Sequence, residues 1–343
     1  MLISGTTFPV DGITLSVLAL ALWMLVSLLW TESEYAITEI LLWYSYFLLF
    51  MAARTVPLEI VLWAMVVNPS IFAGLQLNYA MNNSPINRKG YIIAGQKFPI
   101  FGNSNHNASF MLTGFYASLW LGFNVTPWIL IISLLICTAI MNSRCRGAIL
   151  AVLVSIALAG ILTWSEPFIY IFILALIIAS HHSERFHELR GISIASRIDI
   201  YKDAIRKIHP RYITGRGMNY FRDTQYGRVH NDTIEIVGEI GIVGYLLLLS
   251  VFWNLNLDPI MTCFLISFFI AGLFFFPLRE VHTAAPFWVV MGAASTGSVI
   301  VIPVFKIVAV LSIIFVCMFV FQVFCNLMEW DLARMKSAVQ PKE

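Results

Sequence analysis

Charge is scarce in this sequence: Asp, Glu, Lys and Arg make up 12% of its 343 residues, where a soluble domain carries roughly 25%. With 59% apolar residues and a mean hydropathy of +0.82, the shortfall excludes an ordinary soluble fold. Cysteine is sparse as well. Cys137, Cys145, Cys263, Cys317 and Cys325 are odd in number, lie mostly inside apolar runs and show no CxxC spacing, so they read as packing residues. Between Met1 and Asp11 there is no Lys or Arg, and no small-residue cleavage site follows the first apolar run; a retained first span is expected, without a cleaved signal peptide. HExxH is lacking too: His181, His182 and His187 stand beside Glu184 with no second ligand cluster, so no metal is expected. Intramembrane acids are few, chiefly Glu39, Glu59 and Glu239, and form no relay, which argues against a pump or ion-coupled transporter. No internal repeat or low-complexity tract is visible.

What is abundant is apolar length. A backbone crossing hydrocarbon must satisfy its own N–H and C=O groups, which takes a helix of about 20 mostly apolar residues. Apolar runs between polar breaks place spans near 12–30, 35–53, 57–76, 105–122, 126–141, 146–163, 167–180, 238–255, 260–276, 284–302 and 304–326. The expected fold is all-α, a polytopic transmembrane bundle of about eleven spans with one large, partly helical periplasmic loop. Asn68-Pro69 removes a backbone donor inside the third run and should kink or break it.

The connections alternate in character. Those after the even-numbered spans are short, as at Arg54-Thr55-Val56 and Asn124-Val125. The opposite set holds an Asn-rich loop from Asn78 to Asn105, the junction Asn142 to Arg146, and the long stretch His181 to Val237. Nineteen Lys and Arg fall on this loop-rich end and two on the bare end. The positive-inside rule would turn the loop-rich end to the cytoplasm; the other reading is that these cations are kept outside because they bind a polyanion such as a lipid pyrophosphate.

Within the long loop, Ser193 to Ile208 reads as an amphipathic helix. Ile194, Ile198, Ile205 and Ile208 share one face, and Arg197, Lys202, Arg206 and Lys207 lie elsewhere. Such a helix lies in the interface plane, either as a basic collar near headgroups or as a cover for the bundle end.

Four constellations could carry chemistry. His230-Asn231 precedes an apolar helix in which Asp232 and Glu235 form a capping-box-like start. A histidine just outside a helix N-terminus is held neutral by the dipole, as a proton acceptor must be; the alternative is a surface histidine with Asn231 as a cap. Arg144 and Arg146, in Ser143-Arg144-Cys145-Arg146-Gly147 at a tight junction between spans, suit bidentate phosphate binding or ordinary snorkelling. Asn103, Asn105 and His106, in Phe101-Gly102-Asn103-Ser104-Asn105-His106-Asn107, offer groups that bond sugar hydroxyls or cap a helix. Gly215-Arg216-Gly217 reads as a flexible turn that lets Arg216 swing toward an anion.

Taken in order, FGNSNHNASF at 101–110, NSRCRGAILA at 142–151, SRIDIYKDAI with GRGMNYF at 196–221, HNDTIEIVGEIGIVG at 230–244 and FFFPLREVHTAAPFW at 274–288 resemble the bacterial O-antigen ligase and polymerase superfamily. The most specific piece is His-Asn, nine residues, then GxxG. The resemblance divides the chain into N-terminal transmembrane helices at 1–95, a catalytic core at 96–290 that includes loop 181–237, and a C-terminal helix and tail at 291–343. It implies a bacterial inner-membrane glycosyltransferase that needs neither metal nor cofactor, with its loop in the periplasm and an undecaprenyl-pyrophosphate-linked glycan as donor. The acceptor would be lipid A-core for a ligase, or a carrier-linked repeat unit for a polymerase; nucleic acid has no part. It further implies that His230 activates the acceptor hydroxyl and that Arg146 and Arg216 serve the reaction, with Arg144 able to replace Arg146 in register. Asn103, Asn105, His106, Asn231 and Arg279 would contact substrate. A lipid-linked glycan transporter, or a non-catalytic assembly subunit, is the reading from another class.

Overall fold

The computed structural model describes residues 11–82, 104–143, 145–163, 192–224 and 228–295, and among them there is no strand. The helices are α1 (Gly12–Val26), α2 (Ala36–Ala53), α3 (Leu58–Asn82), α4 (Ser104–Asn124), α5 (Ile129–Asn142), α6 (Arg146–Thr163), α7 (Ile192–Ile208), α8 (Asp232–Trp253), α9 (Pro259–Gly272) and α10 (Val281–Ala294). Each follows from local sequence. Asp11 caps α1 through Thr14 N, and Asp258 caps α9 through Ile260 N and Met261 N with Pro259 at the first helical position.

Gly12–Leu29, Ala36–Ala53, Leu58–Asn78 and Asp232–Trp253 are long and apolar enough to cross a membrane. Ile129–Asn142, Gly147–Ala157, Pro259–Gly272 and Val281–Ala294 are apolar but shorter. The 14-residue helices among these rise about 21 Å, short of a hydrocarbon core of about 30 Å. The expected spans near 167–180 and 304–326 lie outside the described residues.

Side-chain bonds tie the connections into two groups, as the alternation requires. At the bare end Arg54 pairs with Asp11, Asn254 donates to Ser16 Oγ at 3.1 Å, and Trp120 donates to Asp258 at 2.8 Å. The Arg54 guanidinium holds the Asp11 carboxyl well below the usual carboxylate range. Trp128 and Trp253 are widely exposed at this end, as interfacial anchors are. At the loop-rich end Glu32 lies 3.4 Å from Arg211 and 3.6 Å from Arg216, and Asn231 donates to the Leu273 carbonyl at 3.1 Å. Between the two ends Trp43, Phe47 and Phe50 of α2 meet Trp288 of α10 edge-on at 5.6–6.2 Å.

Pro69 does not break α3, which runs continuously through it. The site is instead one of close approach: a Cβ on Gly114 of α4 would fall 2.2 Å from Pro69 Cβ. The interruption sits in α8, at Gly241, whose φ of 71° and ψ of 179° leave the helical region for one that essentially only glycine occupies. The segment 212–217 fills this gap. Arg216 N donates to Gly238 O and Gly217 N to Glu239 O, both at 2.8 Å, while Ile242 N donates to Tyr212 O at 2.9 Å. Trp23 Nε1 donates to Ile240 O at 2.7 Å. Backbone groups freed by the break are therefore satisfied inside the protein, the condition for tolerating non-helical backbone within an apolar helix.

Both glycines of the GxxG pattern acquire a physical reason here. A Cβ on Gly241 would lie 2.1 Å from Ile213 O, and one on Gly244 would lie 2.6 Å from the Ile240 side chain. Gly241→Ala is expected to cost at least about 1–3 kcal/mol from backbone strain alone, read as a lowered thermal midpoint in detergent. Gly74→Ala, at a helical position with nothing within 4 Å, should leave that midpoint unchanged or raise it; equal behaviour of the two variants would refute the account of the break.

Candidate active site at the loop-rich end

The N-terminus of α8 is built by capping. Asn231, in extended conformation, accepts from Ile234 N at 3.0 Å and is the cap, as one of the two sequence readings had it; the capping-box reading had begun the helix cap at Asp232, one residue later. Asp232 is displaced from that role because its carboxylate accepts from Leu278 N at 2.9 Å, while its own N–H donates to Phe275 O at 3.3 Å. Together with Asn231 on Leu273 O, these bonds clamp the 273–278 turn, between α9 and α10, across the start of α8.

His230 is the residue this clamp presents. Its φ is 59°, a left-handed conformation uncommon outside glycine, although histidine adopts it more often than most side chains. The surroundings over-determine it: Asn231 fixes the following residue, and Tyr201 Oη of α7 donates to the His230 carbonyl at 3.1 Å and to Leu273 O at 3.3 Å. The ring is half-buried, with its centroid 5.2 Å from that of Phe276. Residues held in such backbone regions concentrate at functional sites.

Phe276 is the hub of the site. His106, from the first turn of α4, meets it edge-on at 5.6 Å; the Arg228 guanidinium lies 5.7 Å from its centroid; and the His282 ring of α10 lies tilted against His106 at 5.1 Å. Arg228 is anchored to Glu235 at 3.0 Å and reaches Glu39 at 4.0 Å. Burial and the neighbouring Arg279 oppose its charge, yet Glu235 and Glu39 outweigh them and raise its pKa. Burial also raises that of Glu280, helped by Glu39 and Glu235 and opposed by Arg228.

The sequence-derived residues do not all meet at one point. His230, Asn231 and His106 converge around Phe276, and Asn105 shares the first turn of α4 with His106. Arg146 opens α6, and the Gly147 beside it packs so tightly on Phe274 that a Cβ there would lie 2.9 Å from Phe274 Cβ, which brings the SRCRG turn to the same end. Arg144 and Asn103 lie outside the described residues, as do His181, His182 and His187. Arg216 sits deeper: its backbone pairs with Gly238, eight residues beyond His230 and thus on the order of 10 Å along the axis.

The Gly215-Arg216-Gly217 turn is pinned rather than free to swing. The Arg216 guanidinium donates to Lys207 O at 2.9 and 3.1 Å, closing the C-terminus of α7, and lies 5.6 Å from the Tyr220 ring centroid. Arg279 is buried, 2.9 Å from Glu39 and 2.7 Å from Glu239, with its guanidinium over the Trp43 ring at 5.7 Å from the centroid. Burial works against its charge, and Glu239, Glu39 and Glu235 hold it charged all the same. Arg228, Phe276, Glu280 and His282 were missed from sequence. The 274–288 stretch contains three of them, and Arg228 stood among the loop cations, two residues before His230.

Over residues 126–249 the chain matches the sequence profile of a family described as O-Antigen ligase. The matched segment includes the SRCRG junction, α7, the pinned turn, His230-Asn231 and the GxxG pattern of α8, and supports the superfamily that the order of motifs implied. No curated protein matches the chain.

Proposed function

We propose, on the premise that this chain belongs to the O-antigen ligase and polymerase superfamily, that it is an inner-membrane glycosyltransferase acting from the periplasmic face. It would move an O-antigen-type glycan from undecaprenyl pyrophosphate to a sugar hydroxyl of lipid A-core. The observation that carries this reading is His230, held in a left-handed backbone at the head of α8 and framed by Phe276 and His106.

The step is a single displacement. The His230 imidazole accepts the proton of the acceptor O–H as that oxygen attacks the anomeric carbon. The bond from that carbon to the pyrophosphate oxygen breaks, and the carrier pyrophosphate leaves with the electron pair. Arg146 and Arg216 are assigned to this leaving charge, with Arg144 as the alternative to Arg146 and Arg228 added by its position over Phe276. For Arg216, a pyrophosphate would compete with the Lys207 carbonyl and Glu32. Asn103, Asn105 and His106 would orient sugar hydroxyls, while Asn231, its amide engaged by Ile234 N and Leu273 O, would hold His230 in place. No step is assigned to a metal ion.

One feature favours a transporter, the break in α8, since discontinuous helices mark transport sites. Its freed backbone groups, however, are bonded to residues 212–217 and Trp23 rather than left to coordinate a solute, and it is the single interior break among the described residues. Deletion of the gene is expected to strip all O-chains from lipopolysaccharide on gels while carrier-linked chains accumulate. Core bearing a single repeat unit would identify a polymerase instead, and loss of glycan export with no effect on a transfer assay would favour the transporter.

A further inference from the structure

We propose that His106, Glu280 and His282 form a binding site for a divalent transition-metal ion of the zinc class, joining the first turn of α4 to the start of α10. One ligand atom from each of the three lies within 4.8 Å of the others. They come from two sequence-distant places: His106 from the polar start of α4, and Glu280 and His282, two residues apart, from the cap and first turn of α10. A surface cluster along one helix would not have this convergence.

The donor set selects the ion. Two imidazole nitrogens and one carboxylate suit zinc, nickel or copper, whereas magnesium and calcium require oxygen-rich shells. Ligand bonds of about 2.0–2.2 Å at tetrahedral angles separate donors by about 3.3 Å, so closing a 4.8 Å spread requires a shift of about 1.5 Å, within reach of side-chain rotation alone. Three protein ligands leave one position open to water or a ligand oxygen.

Glu280 shows a further sign of this use. It holds the cap position of α10, yet its side chain makes no capping hydrogen bond; the Thr283 N–H donates to the Glu280 carbonyl at 2.9 Å, and the Thr283 hydroxyl to the Pro277 carbonyl at 2.5 Å. The carboxylate is therefore not spent on its own helix. An ion here would fix His106, which packs on Phe276, and so stiffen the wall against which His230 rests. The site is a brace beside the transfer centre, and it does not depend on the function assigned to His230.

The test uses the full chain in detergent, stripped with a chelator and titrated with zinc chloride by calorimetry, then with cobalt chloride by absorption. One saturable equivalent, a tetrahedral cobalt spectrum and a zinc-dependent rise in thermal midpoint are expected. His282→Ala and Glu280→Gln should each lose the cobalt spectrum and the midpoint rise while keeping their helical circular dichroism. If His282→Ala does not fold, Glu280→Gln, which keeps shape and volume, decides alone. Absence of saturable binding overturns the proposal. So does binding that survives in His106→Ala/His282→Ala, or that disappears on replacing His181, His182 and His187.

Discussion

His230→Ala is expected to lower glycan transfer by about 100- to 10,000-fold, the usual contribution of a positioned proton acceptor, with carrier-lipid binding retained. Alanine is poorly suited to a φ of 59°, so the variant alone would confound lost chemistry with released strain. His230→Asn separates them, because asparagine tolerates the left-handed region and has no proton-accepting nitrogen. Both variants should be inactive when scored by O-chain attachment in cells and by turnover of purified protein, and His230→Asn should also melt like the wild type. Normal transfer by His230→Asn would remove His230 from the chemistry, whatever its backbone conformation.

The place of His230 just before an apolar helix was legible because His-Asn and a GxxG nine residues later are local features. The amphipathic helix was legible for the same reason, its face only in part: Ile208 packs against Phe221 and Val229 and Lys202 and Arg206 are exposed, but Ile205, expected on the apolar face, is exposed too, and Ile200, Tyr201 and Ala204 complete the packed face. What sequence could not supply was pairing across the fold. Glu39 and Glu239 looked like isolated intramembrane acids, and Arg279 like a free cation for substrate, because nothing local reveals that α2, α8 and the turn before α10 meet. The helix break was misplaced for a related reason. Pro69 forbids one hydrogen bond locally and so draws attention, yet α3 continues past it. At Gly241 no local rule is violated, and the break exists because a loop 24 or more residues upstream supplies the missing partners. The Gly215-Arg216-Gly217 turn, read alone, is flexible; bonded into that break, it is fixed.

Arg279→Ala is expected to remove folded protein rather than to weaken substrate binding. The Arg279 side chain is 1% exposed and those of Glu39 and Glu239 are 4% and 0%, so its loss strands two carboxylates away from water. Removing one partner of a buried ion pair costs about 3–5 kcal/mol, a large share of the about 5–15 kcal/mol that separates folded from unfolded chains. Arg279→Lys should recover little, since a single ammonium cannot reproduce the fork that reaches both carboxylates. Neutralising the pairs should recover more: Glu39→Gln and Glu239→Gln, added to Arg279→Met, remove both stranded carboxylates, while Arg228 gives up Glu39 at 4.0 Å and keeps Glu235 at 3.0 Å. The measurement is the thermal midpoint in detergent beside the steady-state level in membranes. A substrate contact would give the opposite pattern, an unchanged midpoint with a raised KM, and that result would return Arg279 to the binding site where the sequence first placed it.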